Sequence, residues 1–336
     1  MGPRQHFTDC PRRSGQTIRI LARRHKPFSP GPLRRFGQLR FSQQGRVRWC
    51  YNRRRRIIHE RIGRAAFSRR LTTCARDLIK VDTNTSHRKE RIADDWFADA
   101  FGDLYPVVYA HRTVDAAAPE AVFAAATTGL AGGHRALDLC CGAGRHLVTL
   151  EQYGALLTGA DYSPQLLSLA RKRLSAATAL IRADMRALPL AACFDVVFSF
   201  FTSFGYFLND ADNLAAAVNM ARILKPAGRF FMDYLNPLSL DRRLEPESRR
   251  ESQGYIIYER RWIDWRAKRV NKKITVERDG IPLGTTTESV RLYTLEELTA
   301  LLKDAGLRVE AAWGDYTGSV YEEDAARMIL TGAKTT

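Results

Sequence analysis

Residues 136–146 read ALDLCCGAGRH. An apolar run ends on two adjacent cysteines, turns on Gly-Ala-Gly, and passes at once into RHLVTLEQYG, whose apolar spacing is that of a helix. A strand feeding a helix through glycines is the layout of a nucleotide-binding turn, because Gly142 and Gly144 let the backbone reverse tightly and approach a ligand closely. The paired thiols fit that layout better than a redox or metal device. A disulfide between neighbours would force the peptide between them out of its preferred geometry. Zinc would need further Cys or His at ligand spacing, which the nearby sequence lacks. Cys140 is therefore expected to end a buried strand as a small apolar filler, and Cys141 to sit in the turn itself, closer to the ligand.

Downstream, short apolar runs alternate with amphipathic stretches. Strands are expected at 135–140, 155–161, 179–184, 194–201 and 228–235, separated by the helices RHLVTLEQYG, SPQLLSLARKRLS and NDADNLAAAVNMARILKP. Ser163 is an N-cap, with Pro164 in the first turn. This alternation predicts an α/β fold with a doubly wound, mostly parallel sheet that binds its ligand beyond the carboxyl ends of the strands.

Upstream, DDWFADAFGDLYPVVYAHR (94–112) places Phe97, Phe101, Tyr105 and Tyr109 at four-residue intervals. That is one face of a helix kinked at Pro106, packed on the core or serving as a lid. PEAVFAAATTGL predicts a further helix stopped by Gly129. Residues 254–292 break the pattern and read as antiparallel strands with a turn at Asp279-Gly280. TLEELTALLKDAGL restores a helix with a Thr294/Glu297 capping box and a stop at Gly306, and LRVEAAWGDY and ARMILTGAK supply two last strands.

Asp161 ends the second expected strand, 23 residues after Asp138, where a carboxylate can accept both hydroxyls of a ribose. A dinucleotide oxidoreductase shares these features. Its glycine pattern, however, calls for Gly or Ala at the place of Leu147, and Asp138 just before the turn is unhelpful beside phosphates.

With these residues in place the sequence resembles the class I S-adenosylmethionine-dependent methyltransferases over residues 94–333. LDLCCGAG stands where the family has an acid, any residue and GxGxG, with Cys140 replacing the first glycine. Asp161, in TGADYSP, matches the family's ribose-binding acid, and Asp184, in RADMRALP, the acid beside the adenine amino group. FDVVFSFFTSFGYF matches the fourth-strand region facing the methyl group, ARILKPAGRFFMDYLNP the fifth strand, and LRVEAAW with ARMILTGAK a reversed last strand. The resemblance implies a seven-stranded, Rossmann-like sheet with S-adenosyl-L-methionine held by Asp138, Cys140, Gly142, Gly144, Asp161, Tyr162, Asp184, Met185 and Phe201. It implies no resident metal.

Methyl transfer from a sulfonium asks the protein mainly to align acceptor, methyl carbon and leaving sulfur. A base is needed only for a hydroxyl or a protonated amine. Tyr206, Asp233 and Tyr234 are candidates for that role, and Thr202, Ser203 and Asn236 for contact with the acceptor. Phe201, Phe204, Tyr206 and Phe207 are candidates for an aromatic wall, His146 for a cap, and His111-Arg112 for the methionine carboxylate. The Asn/Asp-Pro-Pro-aromatic run of base-amino methylases is replaced by FTSFGYF. The expected acceptor is a small molecule methylated on N, O or C, chosen by an antiparallel insertion at 245–292 that covers its side of the cleft.

The chain has 336 residues and a formal net charge of +17. Residues 1–90 hold 24 Lys and Arg against 5 Asp and Glu, which leaves the remainder near neutral. They are expected to form a disordered extension to a methyltransferase domain at 91–336. A nucleic-acid-binding arm serving an RNA- or ribosome-directed methylase, a transit peptide and translation from a misplaced start stay open for this segment, as does S-adenosylmethionine binding without catalysis for the whole chain. Nucleic acid is expected only through residues 1–90. Six cysteines without a CxxC pair suit a reducing, cytoplasmic setting, and no apolar run is long enough for a membrane span.

Overall fold

A computed structural model describes residues 92–335. The expectations for residues 1–90 lie outside the described residues. Seven strands form one sheet: β1 (Arg135–Leu139), β2 (Leu156–Asp161), β3 (Ala179–Arg182), β4 (Phe194–Ser199), β5 (Leu224–Leu235), β10 (Leu307–Trp313) and β11 (Arg327–Lys334). Their spatial order is β10-β11-β5-β4-β1-β2-β3. β1 pairs in parallel with both β2 and β4, so the winding reverses between β1 and β4 and opens a crevice at their carboxyl ends. β11 runs antiparallel to both β5 and β10, the reversed last strand expected from the sequence.

Both faces of this sheet are covered, which explains its unbroken apolar strands. Along β5, Phe230 and Met232 enter one core and Phe231 the other; along β4, Val197 and Phe198 divide likewise. The helices are α3 (Val114–Thr128), α4 (Arg145–Leu150), α5 (Pro164–Arg173), α6 (Asp210–Ile223), α7 (Pro237–Arg243) and α8 (Leu295–Asp304). Ser163 caps α5 through the Leu166 amide, and Thr294 with Glu297 forms the complete capping box of α8. None is long and apolar enough to cross a membrane among the described residues.

Two local expectations are corrected. The aromatic segment is not one kinked helix but two short ones, α1 (Trp96–Ala100) and α2 (Tyr105–Val108). Pro106 lies in the first turn of α2, where no amide donor is required, so it starts a helix instead of bending one. α3 begins five residues before Pro119 because Thr113 caps it through the Ala116 amide, and Gly129, at φ 68°, ends it as expected.

The second sheet is a four-stranded meander of β6 (Glu247–Ser252), β7 (Tyr255–Asp264), β8 (Arg269–Arg278) and β9 (Ile281–Arg291). β6 escaped the sequence reading because ESRRES is polar at every position. Asp279 and Gly280 have φ 52° and 75°, the left-handed pair that a two-residue hairpin turn requires. Ile257, Ile274 and Val276 of this sheet pack on Val108 and Tyr109 beside α2. The buried Arg269 ties the sheet to the loop after β4, donating to the carbonyls of Gly205, Tyr206 and Phe207. Tyr234 donates its hydroxyl to the Arg291 carbonyl.

Candidate active site

A cavity of about 380 Å³ occupies the crevice beyond β1 and β4. The segment holding α1 and α2 lines it with Trp96, Phe97, Phe101, Tyr105, Tyr109 and Arg112; Glu288 and Val290 of β9 close the far side. The aromatic segment and the insertion thus meet over the same space.

The glycine turn forms one end. Cys140, Gly142 and Gly144 have φ 62°, 54° and 76°. Glycine takes that conformation freely, whereas for Cys140 it carries a steric cost of about 1–2 kcal/mol. A Cβ on Gly144 would stand 2.9 Å from Leu174 Cδ1, so α5 packs close beneath the turn. The two sulfurs part company: half-buried Cys140 packs with the cluster containing Met185, while buried Cys141 joins the opposite core with Leu147 and Leu157. Both residues contribute to the lining, and the Cys140 sulfur lies 3.9 Å from Met185 Sδ.

Asp161 is fixed at the end of β2 by backbone donors. Its Oδ2 accepts from the Gly142 amide and its Oδ1 from the Ser163 amide, both at 2.8 Å, while burial raises its pKa. Tyr162 is exposed at the rim, with its ring edge-on to Phe97. Burial works against ionisation of Asp184, but its hydrogen bonds and ion pair with Arg186 more than offset this and leave its pKa below the usual value. Met185 and Phe201 complete the lining near these groups.

Asp138 and Gly144 do not line the cavity. Both Asp138 carboxylate oxygens are buried without a partner, and burial, with Asp161 nearby, raises its pKa well above the carboxylate range. A buried acid left unsatisfied behind the turn calls for a donor or a positive charge. Arg112 Nε is likewise buried and unpartnered, in a guanidinium lying 3.7 Å from the Tyr109 ring centre and 4.3 Å from that of Phe201. Arg112 Nη1 donates to the Tyr105 hydroxyl at 3.2 Å, which leaves Nε as a free donor. A buried acid without a partner, a guanidinium with a free donor and a carboxylate fixed at a strand end suit an amino-acid-bearing nucleoside such as S-adenosylmethionine.

The candidates for a base separate. Tyr206 lines the cavity with its ring stacked on Phe101 at 5.5 Å, and burial keeps its phenol protonated. Asp233 and Tyr234 are fully buried, lie outside the lining, and bond to protein groups. Neither is placed to take a proton from an acceptor. Thr202 and Ser203 line the cavity, and Asn236 instead caps α7 and binds carbonyls near residue 323. Of the wall residues, Phe201, Tyr206 and Phe207 face the cavity, and Phe204 belongs to the core. His111 is not in the lining.

His146 is no surface cap. It lines the cavity, stacks on Phe200 at 3.9 Å, and places Nε2 2.7 Å from Glu120. Burial lowers its pKa to about 4 despite that partner, so its ring is neutral near pH 7. Sequence reasoning missed Glu288, Arg145 and Arg327 as lining groups. No local pattern marks Glu288 or Arg327, since β9 and β11 reach the crevice only through tertiary pairing; Arg145 opens α4 directly after Gly144 and lines the cavity from there.

A family described as a methyltransferase domain matches residues 136–228. The cypemycin N-terminal methyltransferase of a Streptomyces species is 29% identical over 211 residues, 59% of this chain and 82% of that one. The dTDP-4-amino-2,3,4,6-tetradeoxy-D-glucose N,N-dimethyltransferase of Saccharopolyspora spinosa is 28% identical, covering 62% of this chain and 85% of its own. Among solved structures, the S-adenosylmethionine-bound amino pentose methyltransferase CalS10 of Micromonospora echinaspora aligns with a TM-score of 0.53 at 24% identity, over 70% of this chain and 98% of that one. Sheet order, glycine turn, strand-end acid and these likenesses converge: residues 136–228 match a methyltransferase-domain family within a class I fold, and the chain is an S-adenosylmethionine-dependent methyltransferase.

Proposed function

We propose that the protein transfers the methyl group of S-adenosylmethionine to an amine nitrogen of a small molecule held in the aromatic part of the cavity. The observation that carries this reading is the continuity of one cavity from Asp161 and Asp184 past the glycine turn to the rings of Trp96, Phe101, Tyr105 and Tyr206. The Saccharopolyspora spinosa relative, an N,N-dimethyltransferase of an amino sugar by name, favours that acceptor atom. When bound, S-adenosylmethionine supplies a methyl group made electrophilic by its sulfonium.

In this reading Asp161 takes the ribose, Asp184 and Met185 the adenine, and Arg112 the methionine carboxylate, with Asp138 compensating the ammonium charge. Gly142 and Cys140 bring backbone close to the nucleoside, and Gly144 seats the turn on α5. The aromatic walls exclude water and orient the acceptor. Tyr206, a neutral hydroxyl, donates a hydrogen bond to it. The strands at 245–292 cover the acceptor side of a domain at 91–336, and residues 1–90 are an extension to it. The free thiols suit a cytoplasmic location.

Calorimetry with two ligands tests the placement. Arg112→Ala should weaken S-adenosylmethionine at least tenfold and leave 5′-methylthioadenosine, which lacks the amino-acid part, within about twofold. Equal losses for both ligands would remove Arg112 from the site. Profiling of labelled methyl transfer into a metabolite extract then identifies the acceptor. Deleting residues 1–85 should leave that transfer intact, whereas an RNA-directed enzyme would lose salt-sensitive RNA binding.

A further inference from the structure

Two successive residues in the turn that follows β4, Phe201 and Thr202, have φ 56° and 61°. For L-residues this conformation is unfavourable and persists only where the surroundings enforce it. Glycine, which would adopt it freely, is absent from both positions.

The enforcing group is Asp233 on the neighbouring β5. Its Oδ2 accepts from the Phe201 amide at 2.8 Å and from the Tyr316 hydroxyl at 2.6 Å; its Oδ1 accepts from Arg327 Nε at 2.7 Å. Its backbone carbonyl accepts from the Thr202 amide at 2.9 Å. Arg327 closes the loop by donating from Nη2 to Thr202 Oγ1 at 2.8 Å. The carboxylate is therefore fully buried and shared among three donors drawn from three separate chain segments.

The strained pair forms cavity wall. The Phe201 ring carries the guanidinium groups of Arg112, Arg145 and Arg327 at 4.3, 4.8 and 5.3 Å from its centre. Relaxing Phe201 to negative φ would swing this ring and withdraw a support of Arg112. β4 pairs directly with β1, so the wall also borders the turn at Cys140.

We propose that Asp233 is a positioning residue. Its carboxylate, with Arg327, holds Phe201 and Thr202 in the left-handed backbone that fixes the cofactor-facing wall. The consequence for binding rests on the cofactor placement proposed above; the clamp itself does not.

Two measurements on the full chain separate these parts. Asp233→Asn keeps the shape but cannot accept from all three donors. Without cofactor, amide hydrogen exchange at 201–202 should rise, and calorimetry should show S-adenosylmethionine binding about tenfold more weakly. Adding Thr202→Gly, which takes the left-handed conformation without steric cost, should restore the Kd to within about threefold of wild type. Arg327→Lys keeps the charge but loses the fork that reaches Asp233 and Thr202 together, and should raise exchange and Kd in the same direction by a smaller factor. Unchanged exchange at 201–202 in both single variants overturns the clamp. Raised exchange with an unchanged Kd, or a weakened Kd that glycine at 202 does not recover, overturns its role toward the cofactor and leaves the methyltransferase assignment standing.

Discussion

Cys140 Sγ lies 3.9 Å from Met185 Sδ, joining the end of β1 to the segment after β3 across the floor of the cavity. Burial and the nearby carboxylates of Asp161, Asp138 and Asp184 raise the Cys140 pKa well above the ordinary thiol value. Cys141 is raised as well, first by burial. With iodoacetamide, Cys140 should react before Cys141, slowly at neutral pH and faster as pH rises, and bound S-adenosylmethionine should slow it. Peptide mass spectrometry reads each site, with half-buried Cys193, outside the cavity lining, as internal control. Equal rates with and without cofactor would misplace the loop.

The conformation of Cys140 has its own test. Ala and Gly variants both lose the sulfur contact, but only Gly escapes the penalty of φ 62°. Cys140→Gly should be more stable than Cys140→Ala by about 1 kcal/mol in denaturant unfolding. An alanine variant of equal or greater stability would argue against a left-handed residue there.

Asp138 should make the cofactor-free protein less stable as it ionises. Its pKa is raised in the fold, so the folded chain holds the proton more tightly than the unfolded one. The stabilisation is complete below the unfolded pKa of about 4 and is lost as pH climbs through the raised value. Asp138→Asn, neutral throughout, should therefore raise the Tm at pH 8 and weaken S-adenosylmethionine binding. A lower Tm at pH 8 would show that the carboxylate has partners in the free protein.

The opposite sign holds at His146. Its pKa is about 4 in the fold, below the usual 6.5, so the unfolded chain takes up the proton first. Its contribution to stability is full above about pH 6.5 and falls away toward pH 4. His146→Gln should flatten the loss of Tm across that window, and thermal melts at several pH values measure it. An unaltered pH dependence would place the acid sensitivity elsewhere.

Features decided by neighbours along the chain were legible in the sequence. Ser163 and Thr294 cap as their spacing implied, Gly129 ends its helix, and Asp161 stands at a strand end within reach of the Gly142 amide. Alternating strands and helices also led to the doubly wound sheet with its reversed last strand, because connection lengths and handedness leave few ways to wind such a chain. The break at Gly102 was harder to see, since rings at four-residue spacing look like one continuous face.

By itself, then, the sequence determined most of the elements, the glycine turn and the acid that ends β2, all set by short-range backbone preferences. Only the tertiary structure decided which sulfur meets Met185 and that His146 faces the cavity. It alone turned Asp233 from a candidate base into the buried partner of Phe201, Tyr316 and Arg327. The physical reason is that a side chain's role depends on what lies opposite it. Strand pairing brings β5, β9 and β11 to the crevice from positions 80 to 190 residues beyond the glycine turn, where no local periodicity records the meeting.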